Sequence, residues 1–127
     1  MNEKLNKMNE IEHYSVEVEK YKQELKERFS EKEILQLIAA QLNRDCSKSA
    51  ILIDFSESDN AKEIHNKLLG IIKSISNEQF EQFAYIIDLP ENTLFQEAYF
   101  TGDFEMVVDL ILLRTIVKVY FRSKYSN

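Results

Sequence analysis

The chain has 127 residues, of which 44% are hydrophobic and 30% are charged. A chain of this length buries about two-thirds of its unfolded surface when it folds, so we expect one domain spanning residues 1–127. With only two glycines and one proline, it has too few turn-forming residues for a β-sandwich or a β-barrel. The composition therefore predicts an all-α fold.

The net charge of −6 is unevenly distributed along the sequence. Eight acidic residues and no lysine or arginine lie between residues 74 and 113, whereas four basic residues and no acidic one follow from Arg114 onward. We expect no nucleic-acid partner, because phosphate binding needs a continuous basic surface. A basic protein partner fits this distribution better than a nucleic acid does. The charge pattern by itself favours a second interpretation that needs no partner, since acids early in a helix and bases late in it stabilise the helix dipole.

The cysteine content and the distribution of hydrophobic residues indicate where in the cell we expect the protein to be. Cys46 is the single cysteine, so it forms no disulfide within the chain, and no signal-peptide pattern opens the sequence. We therefore expect a cytoplasmic protein. The longest uncharged run in the last apolar segment extends only over residues 110–113, so we expect no membrane span and no membrane partner.

An amphipathic helix is predicted near the start of the chain, beginning between residues 3 and 9, with residues 1–8 prone to fraying. Its apolar residues recur at spacings of three and four. They are Ile11, Tyr14, Val18, Tyr21 and Leu25. A short helical pairing, within the chain or between two chains, stays open.

The capping-box pattern of Ser30 and Glu33 predicts a second helix, which we expect to end at residues 43–45. Residues 46–49 are expected to form a loop. The apolar stretch 50–55 fits either a strand or a piece of helix. Because an isolated two-stranded ribbon is only marginally stable, we expect this stretch to be helical or irregular.

Two further helices follow in the middle of the chain. One is expected to begin around residues 56–59, and the next at the capping-box pattern of Ser76 and Gln79. Pro90 disfavours helical geometry in the residue before it and so ends this helix. Asp88 is then positioned to cap the segment that follows.

A fifth helix is predicted over residues 93–100 and should end at Gly102. Asp103 is positioned to cap the last helix, over residues 103–123, which is apolar on nearly every side. A surface helix keeps a single apolar stripe. This pattern instead predicts a core helix packed by different neighbours at its two ends, or by a second subunit.

The segment 93–107 resembles one ankyrin repeat. It matches the repeat at Thr93, Ala98, the turn glycine Gly102 and Glu105, which an apolar pair follows. Leu94 and Gln96 replace the consensus proline and histidine. A solenoid needs about three stacked repeats, and no neighbouring segment repeats this one. We therefore expect a helical hairpin here and transfer no ankyrin function to the chain.

The polar side of the last helix changes halfway along it. Glu105 and Asp109 share one face. The basic residues Arg114, Lys118 and Arg122 share another face, about 140–180° away.

Arg114 lies within the densest apolar stretch, where a guanidinium must be paired or must extend to solvent. Asp88, Asp109 and Glu97 are the candidate partners for a buried ion pair. The end of the same helix carries Tyr120, Arg122 and Tyr125. Because tyrosine is enriched at protein interfaces, we expect this end to be the interaction surface.

The signals for catalysis and metal binding are incomplete. Glu10 and His13 have the Glu-x-x-His spacing of bundle proteins that bind metal pairs, but those sites need a second such motif. Cys46 lies near Arg44 and Lys48, which could lower its pKa, yet no histidine base is placed beside it. We expect an ordinary loop thiol, and neither a metal nor a cofactor.

The sequence predicts an irregular, orthogonal-type bundle of five to six helices around the C-terminal helix. We expect a non-enzymatic protein-interaction module, such as an adaptor, inhibitor or immunity-type protein, with an acidic surface. One alternative is a structural homodimer. The other is a helical metal-binding protein or enzyme that uses scattered carboxylates with a histidine, namely Glu78, Glu81, Glu97 and His65.

Overall fold

A computed structural model describes residues 2–90 and 92–125, with the side chains of residues 14–90 and 92–125. Within these ranges the chain forms six helices and no strand, which confirms the all-α prediction. The helices are α1 (Asn2–Arg28), α2 (Glu31–Lys48), α3 (Ala61–Ser74), α4 (Asn77–Ile87), α5 (Asn92–Phe100) and α6 (Phe104–Tyr125). None of these helices combines the length and apolar character that a bilayer span requires.

The last helix, α6, lies at the centre of the bundle, and each of the other five helices contacts it. Buried side chains from all six helices join one hydrophobic cluster. Within it, the rings of Phe80 and Tyr99 stack at a centroid distance of 3.7 Å and an interplanar angle of 6°. The prediction that α6 is packed on several sides is therefore confirmed.

Local capping explains most of the helix boundaries. The hydroxyl of Ser30 accepts a hydrogen bond from the Glu33 amide at 3.1 Å, and the hydroxyl of Ser76 accepts one from the Gln79 amide at 3.1 Å. Both capping boxes are complete, as predicted. Gly102 ends α5 in the left-handed conformation, with φ of 84°, which L side chains rarely adopt.

The end of α2 differs from the prediction. The helix continues to Lys48, so residues 46–48 are helical and not part of a loop. Asp45 and Cys46 are buried, and contacts with the rest of the bundle therefore extend the helix beyond the point where its apolar pattern fades. Tertiary packing here overrides the weak local signal.

The start of α3 also differs. The helix begins at Ala61 and not at residues 56–59, because Asn60 and Glu63 form its capping box. The Asn60 Oδ1 atom accepts a hydrogen bond from the Glu63 amide at 2.8 Å. Ser56 and Asp59 instead form a turn, in which the Ser56 amide donates to Asp59 Oδ2 at 3.0 Å.

The stretch 50–55 is irregular, one of the two outcomes expected, and a side chain holds it in place. The Asn43 side-chain amide donates to the Phe55 carbonyl at 2.9 Å, and its oxygen accepts from the Phe55 amide at 2.7 Å. Ile51 and Phe55 are buried, whereas Leu52 is 100% exposed. This alternation of burial is typical of an extended backbone.

The C-terminus of α4 is capped by side chains of α6. Arg114 Nε donates to the Ile87 carbonyl at 3.1 Å, and Lys118 Nζ donates to the Ile86 carbonyl at 2.9 Å. The last carbonyls of a helix lack partners within the helix and attract cations. Since α4 has no basic residue in its own last turn, the two cations of α6 supply this stabilisation.

Asp88 is the C-cap residue of α4 and adopts the left-handed conformation, with φ of 52°. It therefore ends one helix, whereas we expected it to cap the next. The predicted ion pair of Arg114 with Asp88 or Asp109 is also not formed, because the guanidinium of Arg114 donates to the C-terminus of α4 instead. Among the described residues Arg114 makes no ion pair, and the Ile87 carbonyl is its partner.

The buried ion pair lies one helical turn further along α6. Lys118 Nζ lies 3.1 Å from Asp45 Oδ2, and the two side chains are 18% and 2% exposed. The other carboxylate oxygen accepts a hydrogen bond from Gln41 Nε2 at 3.1 Å. Both oxygens of the Asp45 carboxylate thus have partners, as a buried charge requires.

We expect Lys118→Met to lower the free energy of unfolding by about 3 kcal/mol, because it leaves the Asp45 charge buried without its counter-charge. Chemical denaturation of the variant measures this loss. Adding Asp45→Asn should restore part of the stability by removing the unpaired charge. The control is Lys73→Met, which changes an exposed lysine of α3. A loss no larger than that of the control would contradict the structural role of the pair.

Candidate functional site

An apolar groove of about 740 Å³ lies between α1, α2, α3 and α6. Its size is within the range of roughly 300–1,000 Å³ that is typical of ligand pockets. The apolar groove is lined by Ile34, Leu35, Ile38, Ile64, Met106, Leu110, Leu112, Leu113 and Ile116. Leu35, Met106 and Leu113 are only half-buried, so the groove presents aliphatic surface that the described part of the fold does not fully cover.

The charged side chains around the apolar groove form two groups. The first lies where α1 leads into α2 and contains Lys22, Lys26 and Glu31. The second lies at the start of α6 and contains Asp103, Glu105 and Asp109. We call this second group the acidic end of the groove.

The acidic end is built by the first turns of α6. Asp103 Oδ1 accepts a hydrogen bond from the Met106 amide at 3.3 Å, so Asp103 caps the helix as predicted. Glu105 lies in the first turn, where a negative charge interacts favourably with the helix dipole. Its carboxylate contacts His65 Nε2 of α3 at 2.9 Å.

The carboxylates of the acidic end influence one another. Burial has the largest effect on Asp109 and raises the pKa of its carboxyl. The charges of Glu105 and Asp103 raise this pKa further, whereas His65 opposes the rise. A cation bound beside Asp109 would stabilise the ionised form of the Asp109 carboxyl group. The acidic end is therefore suited to binding a positively charged group.

The three residues predicted to form an interaction surface differ in how exposed they are. Tyr120 is only 4% exposed and packs against Tyr21 at a centroid distance of 4.5 Å. It is therefore a core residue, because α1 covers this side of α6. Arg122 is exposed, and Tyr125 is 72% exposed. A role for these two residues in binding stays a prediction.

The alternative metal site is not assembled from the predicted residues. Among the described side chains, no group of three or more histidine, cysteine or acidic residues is arranged to hold a metal ion. His65 contacts Glu105, and it forms no such group with Glu78, Glu81 or Glu97. The side chains of Glu10 and His13 lie outside the described residues.

Cys46 lies in α2 and is buried, so the expectation of a loop thiol is wrong. Burial, together with the charge of Asp45, raises the pKa of the thiol to about 12. Only the thiolate is an effective nucleophile. The native fold therefore suppresses the reactivity of this cysteine, and the nearby basic residues do not activate it.

We expect iodoacetamide to alkylate Cys46 roughly a thousandfold more slowly in the native protein than in the unfolded chain at pH 8, because the buried thiol is almost entirely protonated. Mass spectrometry at timed intervals measures both rates. Protein unfolded in guanidinium chloride is the reference. Similar rates in the two states would show that the thiol is accessible and ionised in the fold.

The apolar groove was not predicted from the sequence, although a signal for it is present. The apolar residues of α6 lie on nearly every side of the helix, and among the described side chains Leu112, Leu113 and Ile116 remain half-buried. Comparisons of the chain with known protein families, with curated proteins and with solved structures find no match. The groove itself is therefore the basis from which a function can be inferred.

Proposed function

We propose that the chain is a non-enzymatic interaction module that binds an amphipathic helix of a basic partner protein in the apolar groove. The observation that carries the proposal is the combination of an aliphatic groove with three carboxylates at one end, Asp103, Glu105 and Asp109. An adaptor, an inhibitor or an immunity-type protein would use such a site. The single cysteine is compatible with action in the cytoplasm.

The proposed binding mode follows from the chemistry of the two surfaces. An amphipathic helix presents apolar residues at spacings of three and four, which can fill a groove with aliphatic walls. Lysine or arginine residues at one end of that helix would lie beside the acidic end of the groove. The net charge of −6 would also accelerate the approach of a basic partner at low salt.

A pair of designed helical peptides tests this proposal. One contains leucine on one face and lysine elsewhere, and the other has glutamate in place of every lysine. At low salt, fluorescence anisotropy should show that the leucine–lysine peptide binds at least roughly tenfold more tightly than the leucine–glutamate peptide. Equal affinities, or preference for the leucine–glutamate peptide, would contradict the proposed charge complementarity.

Variants of the protein locate the binding. Leu113→Gln places an amide in the groove and should weaken binding of the leucine–lysine peptide by roughly tenfold. Leu52→Gln makes the same change at the fully exposed leucine and should have no effect. If both variants bind like the parent protein, the groove is not the site. Light scattering completes the test, because a dimer that Leu113→Gln dissociates would favour the homodimer over a separate partner.

The carboxylates have their own matched control. The double variant Glu105→Gln, Asp109→Asn should weaken binding of the leucine–lysine peptide and reduce its dependence on salt. Glu78→Gln, Glu81→Gln removes the same number of charges from the exposed face of α4. An equal loss in the two double variants would mean that only overall charge matters and not the acidic end.

A further inference from the structure

A second pocket, of about 530 Å³, lies between α2, α4 and α6 and has a different character. It is lined mainly by polar and charged side chains, including Gln41, Asp45, Lys48, Lys118 and Arg122. Tyr85 lies at its edge and is 84% exposed. We call it the polar pocket. It shares no lining residue with the apolar groove.

The polar pocket is anchored by the buried ion pair. Asp45 is held by Lys118 and by Gln41 at 3.1 Å each, so its charge is compensated within the fold. Lys48 and Arg122 are exposed, and neither forms an ion pair with a described residue. Their positive charges therefore remain available to a ligand.

Arg44 adds a third uncompensated cation beside the pocket. Its Nη2 atom donates to Gln41 Oε1 at 3.1 Å, while its Nε atom is buried and has no hydrogen-bond partner among the described residues. Burial lowers the pKa of the Arg44 guanidinium, and the nearby charge of Arg122 lowers it further, against a smaller opposing effect of Asp45. Arg44 and Arg122 therefore repel each other across the α2–α6 contact.

The local charge differs in sign from that of the whole chain. Three lining cations, Lys48, Lys118 and Arg122, are set against the lining carboxylates of Asp45 and Asp88, which leaves an excess of one positive charge. Arg44 does not line the pocket but contacts its lining residue Gln41, and it raises the local excess to two. The chain as a whole carries −6. An anion with two negative charges would balance the cluster and relieve the repulsion between the two guanidinium groups.

We propose that the polar pocket binds a small molecule that carries a phosphate group. A phosphate monoester has close to two negative charges at neutral pH, which matches the local excess. The planar guanidinium of Arg122 is suited to contact two phosphate oxygens at once. The pocket is larger than a phosphate group alone, and the side chains of Tyr85 and Ile86 provide apolar surface for the organic part of the ligand.

Isothermal titration calorimetry with phenyl phosphate and with inorganic phosphate tests the proposal. We expect saturable binding of both, at constant ionic strength set with sodium chloride, and tighter binding of phenyl phosphate. Absence of saturable binding would overturn the proposal. If phenyl phosphate binds no more tightly than inorganic phosphate, the pocket holds at most a free ion and the inference of an organic ligand is wrong.

Substitutions assign the binding to the pocket. Arg122→Gln should weaken binding of phenyl phosphate by roughly tenfold or more, and it should leave the melting temperature unchanged because Arg122 is exposed. Arg44→Gln should also weaken binding. The control is Lys73→Gln, which removes an exposed cation from α3. If the control weakens binding as much as Arg122→Gln, the anion binds to general surface charge and the proposal fails.

Discussion

The ammonium group of Lys118 joins three helices at one point. It extends from α6 to the buried carboxylate of Asp45 on α2 and to the Ile86 carbonyl at the end of α4. Arg114 makes a parallel contact with the Ile87 carbonyl. A cation within an apolar helix is costly unless its hydrogen bonds are satisfied. Here two cations donate to the last carbonyls of α4, which lack partners within that helix, and they fix the position of α4 against α6.

This arrangement explains why the polar side of α6 changes halfway along its length. The first half carries Glu105 and Asp109, which flank the apolar groove. The second half carries Arg114 and Lys118, which complete α4, and then Arg122 at the polar pocket. One helix therefore lines two cavities, to which it contributes charges of opposite sign. These charges also interact favourably with the helix dipole.

The parts of the fold that depend on residues close together in the sequence could be predicted. Ser30 and Ser76 cap their helices within one turn, and Gly102 provides a positive φ that few residues tolerate, so each signal is local. The Asn60 capping box was equally local. It is visible in the sequence, although we expected the helix to begin at the serines before it.

The parts that depend on contacts between residues far apart in the sequence could not be predicted in this way. Asp45 and Lys118 are 73 positions apart, and nothing near either residue indicates the other. Asn43 fixes the irregular stretch through the backbone of Phe55, a contact that is invisible in a periodicity analysis. We expected a carboxylate partner for Arg114 because acidic residues can be recognised in a sequence. The group that it binds is a backbone carbonyl, and since every residue has one, the sequence does not single it out. The groove and the pocket both arise between helices and therefore required the assembled fold.

The central position of α6 has a consequence for the order in which the protein is made. Because α6 follows the other five helices in the chain, a ribosome releases those five before the helix on which they all pack. Their apolar faces lack their shared partner during that interval, and exposed apolar surface promotes aggregation of nascent chains. The chain before α6 carries more acidic than basic residues, so neighbouring nascent chains repel one another, which opposes such association until α6 emerges.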